Sequence, residues 1–448
     1  MAETNSIANL FDIKDPHIKI EDKVEKKPYK GQIAKVIFGT LSYPFKACPS
    51  CGVVNHSTQD MIKHGFVNTT IHLSNIRSQP VLLKLKKQRY HCKHCGATPT
   101  VTTSLVDFGC FIAIDNKRYI ALELAEEQSM KLISKHLVVS DYTVSCVLKK
   151  TGKSLSPHDQ SLPEHIGIDE FKSVKSVTES MSCILMDTEN GTLMDILRDR
   201  KQAAIRDYFM RFSYEARQRV KSITMDMYRP YYQFLKGIFP NAEIIIDRFH
   251  LVQHLNCSLN KERVRVMKLI KTSRPTDYRK LKQLWKLILK NREELDFNNY
   301  QSHRLFDGLV TEKMIVNYMV SIDDRFEKVY RLINDLKTDI ALHNFKHFEK
   351  DIEETRKYSL PRQVRTTIQT LQYYLPSIEN SLKYTLSNGV LEGTNNKIKN
   401  IKRSGYGYRN FDNLRYRILI TQKLTVKANK KIRPLLFEEE ERAMKDAA

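Results

Sequence analysis

The chain predicts an α/β architecture: a mixed β-sheet core split by a helical insertion, standing behind a cysteine-stapled ribbon and a small helical domain. Three observations carry that expectation. Two C-x-x-C-G pairs near the amino terminus enclose 40 residues. Short β-rich runs alternate with helices between residues 165 and 247. Helical periodicity then dominates residues 255–385. A content of 41% hydrophobic and 28% charged residues supports packed cores and excludes both a disordered chain and a membrane bundle. No apolar run approaches the ~20 residues that a membrane-spanning helix needs. The first twenty residues lack the basic start and apolar stretch of a secretory signal, so a cytoplasmic location is expected. Charge narrows the partner. With 74 Lys and Arg against 51 Asp and Glu, the net +23 points to a polyanion, nucleic acid first.

The cysteines come first. Cys48-Pro-Ser-Cys51-Gly and Cys92-Lys-His-Cys95-Gly are two tight turns, each aiming two sulfurs at one point. Glycine after the second cysteine lets backbone amides face the thiolates without a Cβ clash. Four thiolates suit one structural, tetrahedral Zn²⁺. The intervening stretches Phe66–Leu73, Val81–Leu85 and Gln88–His91 read as strands of an extended hairpin. His91 and His94 stand beside the second knuckle as spare polar residues rather than ligands. Cys110, Cys146, Cys183 and Cys257 occur singly and read as buried free thiols.

Residues 117–128, 130–136 and 141–150 then form three short helical patterns, the last capped by Ser140. Val144 and Val147 point inward, while Tyr142, Thr143, Ser145 and Lys149 face out. Short helix, tight turn and capped helix with a polar outer face is the spacing of a helix-turn-helix, whose second helix enters the major groove.

From His165 the pattern becomes three strands, His165–Phe171, Met181–Asp187 and Thr192–Leu197, the last two joined by Thr188-Glu-Asn-Gly191. A helix over 201–212, a strand over 220–227, a helix over 231–239 and a strand over 242–247 follow. Three antiparallel strands and then αβαβ is the order of a ribonuclease-H-like α/β fold. In that order the first and fourth strands are parallel neighbours, about 4.8 Å apart. Asp169 and Asp226, each late in its strand, then come close enough to share a divalent cation. Carboxylate oxygens suit Mg²⁺ or Mn²⁺, and two such charges repel unless a cation lies between them. Single aspartates at strand ends more often cap loops. Glu170, Asp187, Asp195 and Asp247 are rivals on that ground, and Glu170 projects from the opposite face to Asp169.

A third acid is expected from a helix on the sheet. In Ser387-Asn-Gly-Val-Leu-Glu392-Gly-Thr-Asn-Asn-Lys-Ile-Lys-Asn-Ile-Lys-Arg403, Glu392, Asn396 and Lys399 share a face, and glycines at 389 and 393 permit close approach. Residues 393–433 hold twelve Lys and Arg and one acid, Asp412. A glutamate heading so basic a helix suits a metal ligand beside a phosphate backbone held by Lys397, Lys399, Lys402 and Arg403.

The cysteine ribbon, the helix-turn-helix, Gly-Ile-Asp169-Glu-Phe, Thr-Met-Asp226-Met-Tyr, Asp247-Arg-Phe-His250 and Leu-Glu392-Gly-Thr-Asn-Asn-Lys-Ile-Lys together resemble bacterial insertion-sequence transposases of the ISL3 family, in one consistent order from about residue 45 to 425. The resemblance implies a DDE-type enzyme with Asp169, Asp226 and Glu392 as its acidic triad, and a helical insertion before the glutamate. Asp247 and His250 match a D-x-x-H signature of related transposases, in a supportive role. Two Mg²⁺ or Mn²⁺ ions, double-stranded DNA (the element's terminal inverted repeats and a target) and at least a homodimer on DNA are the implied cofactors and partners, with no membrane attachment. The expected division is a flexible leader over 1–40, the zinc ribbon over 41–112, the helix-turn-helix over 113–155, the first part of the core over 160–255, an all-helical insertion over 256–385, final core helices over 386–435 and a tail over 436–448. Trp285, the only tryptophan, reads as core before base-stacking platform. The main rival is a non-catalytic zinc-ribbon and helix-turn-helix regulator, which needs neither the β-core nor a glutamate inside a basic helix. A nuclease that cuts without joining is a second.

Overall fold

The computed structural model describes residues 6–56, 59–157, 161–177, 180–357, 359–384 and 389–424. They form two compact units, one from the described residues up to 156 with 397–424 and one from those between 157 and 396. Among the described residues no helix is long and apolar enough to cross a membrane.

The first unit opens with a short helix, α1 (Ser6–Leu10), and four strands, β1 (Ile18–Tyr29), β2 (Gln32–Leu41), β3 (Met61–Ile76) and β4 (Gln79–Cys92). Their order is β1-β2-β4-β3, with two antiparallel hairpins joined through a parallel β2–β4 pair. This corrects the leader expected over residues 1–40. Alternation in β2 buries Ile37 and Leu41 with Val81, Leu83 and Leu85 of β4, so the segment supplies half of a sheet. Its charged letters occupy the exposed positions of β1 and hide the strand from a reading of composition.

Three helices follow: α2 (Ile114–Glu123), α3 (Met130–Leu137) and α4 (Asp141–Ser154). Ser129 and Ser140 cap α3 and α4 through their hydroxyl oxygens, and Val138, in the left-handed region, turns the chain between them. Ile133, Leu137, Val144, Val147 and Leu148 close a small core. The single cysteines split. Cys183 is buried, whereas Cys146, on the outer face of α4, and Cys257 are exposed, and Cys110 is half-buried.

The second unit holds a five-stranded sheet of β5 (His165–Lys172), β6 (Met181–Asp187), β7 (Thr192–Leu197), β8 (Ser222–Met225) and β9 (Glu243–Ile246) in the order β7-β6-β5-β8-β9. β6 runs antiparallel to β5 and β7, while β8 and β9 run parallel to β5. Between them lie α5 (Gln202–Phe209), α6 (Tyr214–Gln218) and α7 (Arg229–Ile238). α8 (Arg248–Ile270) leads into α9 (Pro275–Gln283), α10 (Trp285–Leu289), α11 (Glu312–Val320), α12 (Asp324–Ala341), α13 (Phe345–Glu354), α14 (Arg362–Tyr373) and α15 (Leu375–Lys383). The insertion departs from all-helical at one point, a two-residue hairpin of Gln301–Ser302 with Leu309–Val310. α15 returns to the sheet, where Ser381 Oγ accepts the Ile246 N–H at 2.9 Å. Trp285 is 39% exposed, so the core reading does not hold for it.

α16 (Gly389–Ser404) and α17 (Phe411–Lys423) close the described chain. The first turn of α16 lies against β5 and the β6–β7 turn: a Cβ on Gly167 would stand 2.7 Å from Leu391, and one on Gly191 3.4 Å from Val390. Gly393 faces open space, so the close approach expected there is made at Gly167 instead. α17 packs on α4 in the first unit, with Tyr416 directly over Gly152. The buried guanidinium of Arg417 donates to the carbonyls of Glu126 and Gln128 at 2.7 and 2.6 Å.

Candidate active site

Register brings the strand-end acids together. β5 and β8 pair as His165–Ser222, Ile166–Ile223 and Gly167–Thr224. Two further steps along that ladder set Asp169 opposite Asp226. β8 and β9 pair up to Met225–Ile246, so one further step sets Asp226 opposite Asp247, whose N–H still donates to the Met225 carbonyl. Asp226 and Asp247 thus directly follow β8 and β9, beside Asp169 within β5. Asp247 is also the cap of α8, and the first turn of that helix carries His250.

Ligand atoms of Asp226, Asp247 and His250 lie within 4.8 Å of one another. His250 Nε2 is 2.9 Å from Asp226 Oδ1 and 3.9 Å from Asp247 Oδ2. That contact with Asp226, opposed by burial and helped by Asp247 and Asp169, raises the histidine's pKa. Asp169, Asp226 and His250 line one cavity of about 360 Å³. Burial, and then repulsion from Asp226, pushes the Asp169 carboxyl up to about 6. Two donors hold it: the Glu170 N–H at 2.6 Å on Oδ1 and Asn395 Nδ2 at 2.5 Å on Oδ2.

These atoms suit a divalent cation. Asp226 Oδ1 is buried with no aligned hydrogen-bond donor among the described residues. The Asp169 carboxyl, raised by burial and then by Asp226, is stabilised in its ionised form by added positive charge. The rivals resolve on other grounds. Asp187 accepts the N–H groups of Glu189 and Asn190 at 3.0 Å each and caps its turn. Glu170 receives Arg200 Nη1 at 2.7 Å and the Tyr231 hydroxyl at 2.9 Å, which braces β5 rather than leaving a free ligand.

Glu392 is exposed on the first turn of α16 and is not among the residues lining the cavity. Its helix nevertheless reaches the site, because Asn395 lies three residues on and bonds Asp169. Asn395, Arg200 and Tyr231 were not singled out by the sequence. Helical spacing from Glu392 admits Asn395 at i+3 as well as Asn396 at i+4; nothing local marks the other two.

The ribbon cysteines form a second centre. Their four sulfurs lie within 4.8 Å of one another, with Cys48–Cys95 at 3.8 Å and Cys51–Cys92 at 3.9 Å. A tetrahedron of sulfurs about 2.3 Å from a zinc ion has edges of about 3.8 Å, and a disulfide is about 2.05 Å. The set fits zinc. Both knuckles fold alike: Gly52 and Gly96, at φ +74° and +73°, donate to the carbonyls of Cys48 and Cys92 at 2.9 Å. The amides of Cys51 and Ser50 hold the Cys48 thiol down to about 6. His91 and His94 are outside the cluster.

The outer face of α4 exposes Tyr142 and Lys149, with Thr143 and Ser145 half-buried and Thr143 also bonded to Ser140. On α16, Lys397, Lys399 and Arg403 are exposed and Lys402 is half-buried.

Residues 166–418 match the profile of a family described as Transposase, of the DDE ISL3 type. Residues 44–95 match the zinc-finger of transposases IS204, IS1001, IS1096 and IS1165. The chain is 26% identical over 332 residues to the transposase for insertion sequence element IS1001 of Bordetella parapertussis, covering 73% of this chain and 78% of that one. A Lactococcus lactis protein named ATP-dependent protease is 34% identical over 140 residues, only 28% of this chain and 44% of that one. The first profile spans more than half of the chain, from the first strand of the acid-bearing sheet through α16. The chain belongs to the ISL3-type transposase family.

Proposed function

We propose that the chain is a metal-dependent DDE transposase that cuts DNA at the ends of its insertion sequence and joins the freed 3′-hydroxyls to target DNA. The single observation that carries this is that Asp169 and Asp226, on the neighbouring parallel strands β5 and β8, line one cavity with His250, while α16 is bonded to Asp169 through Asn395. The strand order and mixed polarity of that sheet support a ribonuclease-H-like core.

Asp169 and Asp226 would hold two Mg²⁺ or Mn²⁺ ions, with Glu392 as the third acid. When bound, such ions activate the attacking hydroxyl or water and stabilise the leaving oxygen at phosphorus. The chain's own residues prepare the site. Asn395 and the Glu170 amide fix the Asp169 carboxylate, and Arg200 with Tyr231 braces the adjoining Glu170. His250 orients Asp226 and offsets part of the acid charge before DNA arrives. Glu392 enters on a helix whose next two turns carry Lys397, Lys399, Lys402 and Arg403, suited to the phosphate backbone. Cys48, Cys51, Cys92 and Cys95 would hold one zinc ion, which would stiffen the ribbon. α3 and α4 act as a helix-turn-helix that reads the terminal repeats through Tyr142, Thr143, Ser145 and Lys149. Acting on two ends calls for at least a dimer on DNA.

The test uses a plasmid bearing the element's ends, with Mg²⁺. Wild type is expected to nick and join, while Asp226→Asn and Glu392→Gln bind the ends and do neither. Sequence-specific binding without nicking by wild type favours the non-catalytic regulator. Cutting without strand-transfer products favours a nuclease.

A further inference from the structure

α8 presents two neighbouring stripes. His250, His254 and Cys257 face the cavity that holds the acids. Phe249, Val252, Asn256 and Asn260 line a shallower groove of about 320 Å³, with Leu289 of α10 on its far side. Gln253 and Cys257 line both, so the groove adjoins the acid-bearing cavity.

Two features of this groove are not accounted for by core packing, although the Phe249 ring meets His250 edge-on at 5.4 Å. The Phe249 ring is 59% exposed beside the acids, where an apolar side chain gains nothing from core burial. Asn256 Oδ1 is buried and has no hydrogen-bond partner among the described residues, an unfavourable state for an amide oxygen unless a ligand brings a donor. A flat π face beside an unpaired acceptor matches a nucleobase. Bases stack on aromatic rings with little regard to sequence, and unstacked ones are held by hydrogen bonds to their pairing edge. Every base carries an N–H on that edge, so one amide oxygen accepts from any of them.

We propose that this groove receives one unstacked base of the DNA strand, next to the phosphodiester held at the acids. Phe249 stacks on the base, Asn256 Oδ1 accepts from its pairing edge, and Val252 and Leu289 wall it from the sides. Asn260, whose Oδ1 already accepts from Arg263 Nε at 2.9 Å, keeps its amide N–H groups for a base oxygen or ring nitrogen. Drawing a base out of the stack lets a duplex bend so that the neighbouring phosphate enters a recessed cavity, and the stacking partner in the protein offsets the unstacking. This rests on the reading of the chain as a DNA-cutting enzyme.

The test uses the full-length protein and a duplex of the element's end, with 2-aminopurine placed singly at positions flanking the cut. This base fluoresces more strongly once it leaves the stack. One position is expected to brighten on binding of wild type and Phe249→Tyr, and not of Phe249→Ala. Cleavage of the intact end by Phe249→Ala should slow by about 5- to 150-fold, the loss of one stacked base. An abasic site at the brightening position should restore the rate, since no base remains to be extracted. Equal brightening with Phe249→Ala, or a slowed rate that the abasic duplex leaves unchanged, overturns the inference. Binding without cleavage of the intact duplex by wild type sinks the enzymatic reading instead, and the fluorescence arm, which needs binding alone, still decides the groove.

Discussion

Asp169→Asn should disarm the site and at the same time stabilise the metal-free protein. Folding raises this carboxyl from 3.8 to about 6, chiefly through burial and then through Asp226. A tenfold change in proton affinity is worth about 1.4 kcal/mol, so holding Asp169 ionised at neutral pH costs the fold roughly 3 kcal/mol. Asparagine removes that cost. It keeps one acceptor oxygen for two donors, Glu170 N–H and Asn395 Nδ2, and so gives back about 1 kcal/mol. A net gain of about 2 kcal/mol, at roughly 2–4 °C per kcal/mol for a unit this large, raises the melting temperature by about 4–8 °C. The sign follows from linkage. A group whose pKa rises on folding favours the folded state while protonated; that contribution is complete below pH 3.8 and lost as pH passes about 6. The variant's advantage should therefore be absent near pH 4 and full above pH 6. Thermal denaturation in chelator across that range measures it, and added Mg²⁺ should raise the melting point of wild type alone. A variant no more stable than wild type at pH 8, or one whose advantage is independent of pH, refutes the electrostatic reasoning.

Gly167→Ala places a Cβ 2.6 Å from Thr188 and 2.7 Å from Leu391, shifting the first turn of α16 away from the sheet. End binding should survive while cleavage falls by about tenfold or more in a plasmid assay. Gly152→Ala brings a Cβ within 2.2 Å of the Tyr416 Cβ. The overlap should cost about 1–3 kcal/mol and outweigh the ~1 kcal/mol that alanine offers a helix, measured by denaturant unfolding. Metal analysis of the purified chain should find one zinc, and Cys92→Ser should release it, lower the melting point of the first unit and weaken end binding before any effect on chemistry.

What could be read from sequence followed the strength of local signals. The C-x-x-C-G knuckles and the Ser140 cap are short-range devices, and each folds as its spacing predicts. The placing of Asp169 opposite Asp226 required only strand order, because register within a parallel pair is fixed by the apolar faces of β5 and β8. β1 escaped notice because its exposed residues are charged, and the hairpin it forms with β2 joins the rest of the sheet only through β4, which lies beyond a cysteine knuckle and β3. Asn395 is different. It shares a turn with Glu392, but its partner on β5 is 226 residues away, and helical spacing alone favoured Asn396. Nor does any local pattern mark the bracing of Glu170 by Arg200 and Tyr231, which depends on where α7 lies against the sheet.

Whether residues 169, 226 and 392 share one ion centre can be measured without relying on activity. With Fe²⁺ in place of Mg²⁺, peroxide and ascorbate generate hydroxyl radicals at the bound ion that cut the nearby backbone, and mass spectrometry maps the cuts. Breaks should cluster at the ends of β5 and β8 and in the first turn of α16, fade as Mg²⁺ competes, and vanish in Asp226→Asn. Breaks confined to the strand ends, with none around Glu392 even when end DNA is bound, contradict a three-acid centre.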